Sequence, residues 1–225
     1  MKILIVEDDK DICEILAFNL SNEGFTVNCA YSAEEGLSML RPNHSLILLD
    51  VMMGGMSGYK MAEKLRKENN TTPIIFLTAK DTENDMLTGF SVGGDDYISK
   101  PFSIKEVIAR VKAVMKRQDI KTSEANSDIV FDNITISQDL KELNIEGKNI
   151  TLTKTEFEIL TLLAQNPNKV FSRERIISLI WEESTYITER TVDVHITRLR
   201  KKMGNYGQVI TNRSGYGYRF DISKI

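Results

Sequence analysis

Apolar residues follow two rhythms along the first half of this chain. Short continuous runs, Ile3-Leu4-Ile5-Val6, Leu46-Ile47-Leu48-Leu49 and Ile74-Ile75-Phe76-Leu77, are each bounded by polar or turn residues. Such runs mark strands buried on both faces of a parallel sheet. Between them lie longer segments with helical spacing. The pattern predicts strands over Lys2–Val6, Phe25–Cys29, Leu46–Leu49, Pro73–Leu77 and Asp96–Ile98. It predicts helices near 10–21, 33–40, 58–69, 83–91 and 104–117, with Ser32 and Glu35 fitting a capping box at the second. Five strands alternating with five helices imply an α/β fold, doubly wound, with a parallel five-stranded sheet. Right-handed crossovers favour the flavodoxin-like order 2-1-3-4-5.

Residues 118–127 are polar and aperiodic and read as a linker between domains at 1–117 and 128–225. The rhythm then changes. Short strands are expected at Ile129–Phe131, Ile134–Ser137, Lys141–Ile145 and Lys148–Ile150, with Asn133 and Glu146-Gly147 at turns. Three helices follow. The first opens on the capping box Thr153…Glu156 and runs to about Gln165. The second runs from the Ser172 cap through Trp181, and the third from about Glu189 to Met203. Gln208–Phe220, alternating around Gly215 and Gly217, reads as a hairpin. Together these elements suggest an α+β winged helix-turn-helix domain.

Composition narrows the class. A chain of 225 residues suits two domains, and 41% hydrophobic with 27% charged residues fits a soluble globular protein. The apolar runs of four or five residues are far short of a membrane span. No signal-peptide pattern opens the sequence, so a cytoplasmic location without a membrane partner is expected. Cys13 and Cys29 are too few for a disulfide framework and are expected as reduced thiols. The net charge of −3 argues against an indiscriminate polyanion binder, yet Arg190, Arg198, Arg200, Lys201 and Lys202 cluster in one predicted helix.

Candidate chemistry sits at the strand ends. Glu7 and Asp8 follow the first strand, Asp50 the third, Thr78 the fourth and Lys100 the fifth. Taken singly, each fits a helix cap, a turn or a loop as well as a site. Jointly they fall where open α/β sheets place their ligands. Three convergent carboxylates repel one another unless a cation lies among them, which points to a hard divalent ion, Mg²⁺. The set suits phosphoryl transfer to a carboxylate, with Asp50 as nucleophile.

The motifs Val6-Glu7-Asp8-Asp9, Leu49-Asp50-Val51-Met52, Leu77-Thr78-Ala79 and Gly93 to Phe102 resemble the receiver domain of bacterial two-component response regulators. The resemblance covers residues 1–117 and implies Asp50 as phosphoacceptor for a sensor histidine kinase. It implies Glu7, Asp8, Asp50 and the backbone carbonyl of Met52 as metal ligands. It further implies Thr78 and Lys100 as phosphoryl contacts and Tyr97 as an aromatic switch. Two positions depart from the family pattern: Gly54 replaces a usual proline and Gly94 a usual alanine. The resemblance also implies a homodimer through the receiver, where Asp96, Glu106, Arg110 and Arg117 match members of cross-chain charge pairs. Met86 and Ser91 replace charges usual there, and Met86 is expected to add an apolar dimer contact.

Leu152 to Leu160, Arg190 to Lys202 and Gly215 to Phe220 resemble the winged-helix effector of the OmpR/PhoB class over about 129–221. That resemblance implies binding of double-stranded promoter DNA as repeated half-sites. Arg198 and Thr197 would read bases, while Arg190, Thr191, His195 and Arg200 would contact the backbone. Lys201 and Lys202 join them on the helix. Arg213 is displaced by one residue from the usual wing arginine, and its reach into the minor groove stays open. Residues 182–188 resemble the loop by which activators touch RNA polymerase. His44 has no supporting constellation and is expected to be inert. The expected protein is thus a phosphorylation-dependent transcriptional regulator and not an enzyme. The alternatives are a DNA-binding regulator whose receiver works without phosphorylation, and an aspartyl-phosphate phosphatase. The latter lacks a proton donor two residues after Asp50, where Met52 stands.

Overall fold

Ile3, Leu4, Ile5 and Val6 are entirely shut off from solvent, as are Leu46–Leu49 and Ile74–Leu77. The runs that read as two-sided strands are therefore the centre of the first domain. The structure is a computed structural model in which residues 1–79, 82–119, 128–181 and 187–225 are described, without the side chains of 83 and 116–119. The chain divides into two units, residues 1–120 and 121–225, each treated by itself.

In the first unit the strands are β1 (Lys2–Val6), β2 (Thr26–Ala30), β3 (His44–Asp50), β4 (Ile74–Thr78) and β5 (Asp96–Ser99). They pair in parallel in the order β2-β1-β3-β4-β5, the expected flavodoxin-like arrangement. Helices α1 (Lys10–Asn22), α2 (Ala33–Met39), α3 (Gly58–Lys67), α4 (Glu83–Val92) and α5 (Ile104–Asp119) alternate with them. β2 starts one residue later than its pattern suggests, because the Phe25 amide closes the end of α1 on the Leu20 carbonyl. The cap of α2 also differs in detail. Ser32 accepts from the Glu35 amide at 3.1 Å, but Glu35 reaches back one residue further, to the Tyr31 amide, at 2.7 Å.

Register sets the site. Val6 pairs with Leu49, Asp50 with Leu77 and Thr78 with Ser99. Glu7, Asp50, Thr78 and Lys100 consequently leave the sheet at one edge. Gly58 starts α3 against that edge: a Cβ there would lie 2.1 Å from the Asp50 carbonyl oxygen, so only glycine fits. Cys13 and Cys29 are free thiols, the first buried and the second half-buried. His44 is buried, not a surface residue. Its ring accepts from the Arg41 amide at 3.0 Å and meets the Asn28 side chain at 3.1 Å, so it anchors the turn into β3.

The second unit begins with an antiparallel sheet of β6 (Ile129–Phe131), β7 (Ile134–Ser137), β8 (Glu142–Ile145) and β9 (Lys148–Ile150). β8 starts after Lys141, which turns with φ of 58°. Helices α6 (Lys154–Ala164), α7 (Arg173–Ile180) and α8 (Glu189–Met203) follow, then the hairpin β10 (Ile210–Arg213) and β11 (Gly217–Phe220). The hairpin is shorter than its alternation suggests, since Gly204–Val209 winds into a 3₁₀ turn. The capping box of α6 is complete: the Thr153 amide donates to Glu156 at 2.8 Å, and the Glu156 amide to Thr153 at 3.4 Å. Val192, Ile196 and Leu199 form the fully buried stripe of α8. Among the described residues no helix is long and apolar enough to cross a membrane.

Candidate functional site

Lys100 bridges two carboxylates at the sheet edge. Its Nζ donates to Glu7 Oε1 and Oε2 at 2.9 and 2.7 Å, and to Asp50 Oδ2 at 2.9 Å. The Met52 amide donates to Asp50 Oδ1 at 2.9 Å, and the Gly54 amide to Asp8 Oδ2 at 3.3 Å. Glu7 and Asp50 are buried, while Asp8 faces solvent. One carboxylate oxygen of each of the three acids lies within 4.8 Å of the others. Thr78 is fully buried beside them, and its carbonyl accepts from the Lys100 amide at 2.7 Å.

This electrostatic balance is unfinished. The Glu7 carboxyl is raised to about 7: burial pushes it up, the Lys100 ammonium opposes this and the Asp50 charge adds to it. For Lys100, burial favours the neutral amine, but hydrogen bonds to Glu7 and Asp50 outweigh it and raise its value. Three acids face one ammonium, an all-oxygen donor set that suits a hard divalent cation. The Gly54 amide on Asp8 is available because glycine replaces the usual proline at this position, and proline has no N–H to donate.

The proposed dimer residues are arranged within one chain. Arg110 and Asp96 are both buried, 3.2 Å apart, and Arg110 also meets Glu106 at 3.3 Å, one helical turn away. The charges expected to pair across chains thus already pair with one another. Met86 is 8% exposed, so the expected apolar contact is corrected to a core position. The side chain of Arg117 lies outside the described residues.

On α8, Arg190, Thr197 and Lys201 are exposed and Val194 is half-exposed. Spaced by four, three and four residues, they share one face of the helix. Thr197 donates its hydroxyl to the Asp193 carbonyl at 2.7 Å. The remaining expected DNA contacts turn inward. His195 is fully buried against Trp181, ring centroids 5.4 Å apart, and Thr191 is 1% exposed. Their side chains pack the core, which corrects their assignment to the DNA backbone. Arg200 donates to the Ile210 carbonyl at 2.9 Å and lies over the Tyr218 ring, so it braces the wing and is not presented to a phosphate. Arg198 lies 3.0 Å, and Lys202 2.6 Å, from Glu156, whose side chain is fully buried. Both are half-buried, and Arg198 reaches a groove only by leaving that carboxylate.

The wing is tied to the helices. Asp193 accepts from Arg173 and from the Tyr218 hydroxyl, each at 2.7 Å. Phe171 and Tyr218 exchange backbone hydrogen bonds of 2.8 and 2.9 Å. Gly217 permits this approach: φ is 122° and a Cβ would lie 2.0 Å from the Phe171 carbonyl oxygen. Beyond it, Arg213 is exposed opposite Gly217, and Tyr216 is 76% exposed at the tip. Tyr216 is not among the expected DNA contacts, yet its place between two wing glycines is the sequence signal for an exposed aromatic at the tip. Of the loop resembling a polymerase contact, residues 182–186 lie outside the described set.

Comparison with known proteins agrees with this geometry. Residues 3–112 match the response regulator receiver domain, and residues 147–220 the C-terminal domain of transcriptional regulatory proteins. An uncharacterized transcriptional regulatory protein of Bacillus subtilis, YclJ, is 41% identical over 98% of this chain and 99% of its own. The transcriptional regulatory proteins ResD of B. subtilis and SrrA of Staphylococcus aureus are 37% and 38% identical, each over 98% of this chain and 96% and 95% of theirs. A RitR mutant is similar in structure, with a TM-score of 0.77 and 26% identity over 97% of this chain and 98% of that one. DrrB of Thermotoga maritima, an OmpR/PhoB homolog, gives 0.52 and 32% over 98% of each. The chain therefore belongs to the two-component response regulators of the OmpR/PhoB type, phosphorylation-dependent DNA-binding transcriptional regulators and not enzymes.

Proposed function

We propose that Asp50 is the phosphoacceptor and that its neighbours divide the work of the transfer. The observation that carries this reading is Lys100 bridging Glu7 and Asp50 with Asp8 alongside. A carboxylate oxygen of Asp50 attacks the phosphorus of a phosphohistidine on a partner histidine kinase. The O–P bond forms, the N–P bond breaks, and the imidazole leaves. Glu7, Asp8, Asp50 and the Met52 carbonyl would hold Mg²⁺, which would offset charge on the phosphoryl oxygens. Lys100 then pairs with one phosphoryl oxygen and the Thr78 hydroxyl donates to another, with Tyr97 following Thr78. Exposed Ile15 and Phe18 lie on α1, which begins directly after the acid pair. They suit an apolar docking surface for the kinase.

Residues 118 and 119, expected in the linker, belong to α5, and residues 120–127 link this receiver to the effector. The response is a homodimer through α4, β5 and α5, in which Asp96, Glu106 and Arg110 exchange partners and Arg117 adds a cross-chain charge. The dimer sets two winged helices on repeated promoter half-sites. Arg190, Thr197 and Lys201 face the major groove, with Arg213 and Tyr216 at the wing. Arg198 and Lys202 contribute when released from Glu156. The segment 182–188 meets RNA polymerase, and the protein works in the cytoplasm.

Affinity for promoter fragments, measured before and after incubation with a small phosphodonor and Mg²⁺, tests the reading, with Asp50→Ala as control. Wild type should tighten and dimerise while the variant does not. Unchanged affinity and oligomeric state in wild type would favour a receiver that works without phosphorylation.

A further inference from the structure

Tyr59, in the first turn of α3, is not among the reacting or switching groups. Its ring packs edge-on against Phe76 of β4, with centroids 5.1 Å apart and planes at 82°. Its hydroxyl donates to the Asp85 carbonyl, in the first turn of α4, at 2.9 Å. That turn is otherwise organised by Thr82, whose hydroxyl accepts from the Asp85 amide at 3.2 Å and donates to the Asp85 carboxylate at 2.5 Å. Tyr97 is fully buried beyond Phe76 and Phe90, at 6.5 and 6.4 Å between centroids. Gly89 of α4 seats the cluster: a Cβ there would come within 3.3–3.4 Å of Phe76, Tyr97 and Tyr59. Burial, with the Tyr97 phenol beside it, raises the Tyr59 phenol well above its ordinary value, so its hydroxyl stays a donor.

We propose that Tyr59 is a positioning residue of the resting state, fastening the first turn of α4 to α3 while Tyr97 is turned inward. The proposal rests on the reading of Asp50 as phosphoacceptor. Thr78 ends β4 and Thr82 caps α4, with three residues between them. A move of Thr78 toward a phosphoryl group on Asp50 is therefore passed, over a short tether, into the turn that Tyr59 holds. A hydrogen bond made in one of two states biases the equilibrium toward that state. A neutral bond of this kind corresponds to about a 2- to 10-fold shift. Tyr59 thus opposes activation without touching the phosphoryl group.

The test uses the full chain as wild type, Tyr59→Phe and Tyr59→Leu, with and without acetyl phosphate and Mg²⁺. Hydrogen exchange across Glu83–Val92 and self-association by sedimentation are measured, with Asp50 modification followed by intact mass. Without phosphodonor, Tyr59→Phe should exchange faster in the first turn of α4 and associate more strongly, each by about 2- to 10-fold. It should be phosphorylated at the wild-type rate and show a correspondingly smaller response. The proposal is overturned if wild type responds to phosphodonor and Tyr59→Phe matches it in both measurements. It is equally overturned if only Tyr59→Leu differs, since ring packing and not the hydroxyl would then matter. A wild type that takes up no phosphoryl group overturns the Asp50 reading, and one that takes it up without change overturns the switch alone; either outcome removes this proposal.

Discussion

The guanidinium of Arg198 lies 3.0 Å from the buried carboxylate of Glu156, which also caps α6 and receives Lys202. One side chain thus joins the start of the effector's first helix to the second half of its recognition helix. Removing one member of a buried ion pair leaves the other charge uncompensated, typically at a cost of about 3–5 kcal/mol. Glu156→Gln should destabilise the second domain at the lower end of that range, because Arg198 and Lys202 keep some access to water. The emission of Trp181, the sole tryptophan, in a denaturant titration measures this directly. Arg198→Ala should lower the same midpoint. Arg190→Ala should leave the midpoint in place and reduce the salt slope of DNA binding by about 1.

Acid should find the same weak point. For Glu156, burial alone would raise its value, but the charges of Arg198 and Lys202 outweigh it and hold it below the ordinary 4.5. A lowered carboxylate stabilises the fold fully above 4.5, and that contribution is lost as pH falls through the lower native value. Denaturant midpoints read by Trp181 emission should fall on the acid side of 4.5 in wild type. Glu156→Gln, weaker at neutral pH, should follow a flatter profile.

Lys100 neutralises part of the acid pocket. In Lys100→Ala, Glu7, Asp8 and Asp50 face one another without an ammonium, and the receiver should be less stable in metal-free buffer. Mg²⁺ should then raise the melting temperature more in the variant than in wild type, since ligand binding to the folded state stabilises it. Thermal melts over a Mg²⁺ series check this; equal shifts in the two proteins would remove Lys100 from the metal balance.

Gly217→Ala forces a Cβ into the Phe171 backbone at a φ of 122°, a strain of about 1–3 kcal/mol if the turn persists. The wing should detach from the start of α7 instead. Anisotropy with labelled duplexes should record weaker binding to every sequence alike, with helical circular dichroism unchanged.

The receiver was legible because its strands are buried on both faces, so each run carries its own boundaries and its polar terminus. Glu7, Asp50, Thr78 and Lys100 stand directly at those ends, and counting along the chain placed them together. The effector contacts were less legible. A cationic helix looks uniform in sequence, yet Arg198 and Lys202 answer to Glu156 and Arg200 to a carbonyl of the wing. Glu156 read as a helix cap, which it is. Nothing local announced its second role, because its cationic partners are more than forty residues away. His195 failed for the converse reason: a polar side chain on a helix gives no sign that Trp181 will cover it.

Asp96 and Arg110 bear on how a dimer responds to its surroundings. Both are buried and joined to one another inside a single chain. Two chains that trade these partners across a twofold axis end with as many ion pairs as they began with. Association of that kind is an electrostatic swap with little net gain in attraction. Its equilibrium constant should therefore be nearly indifferent to ionic strength, while DNA binding by the same protein falls steeply with added salt. Salt would then separate the two steps: raising it should strip the operator and leave the proposed dimer.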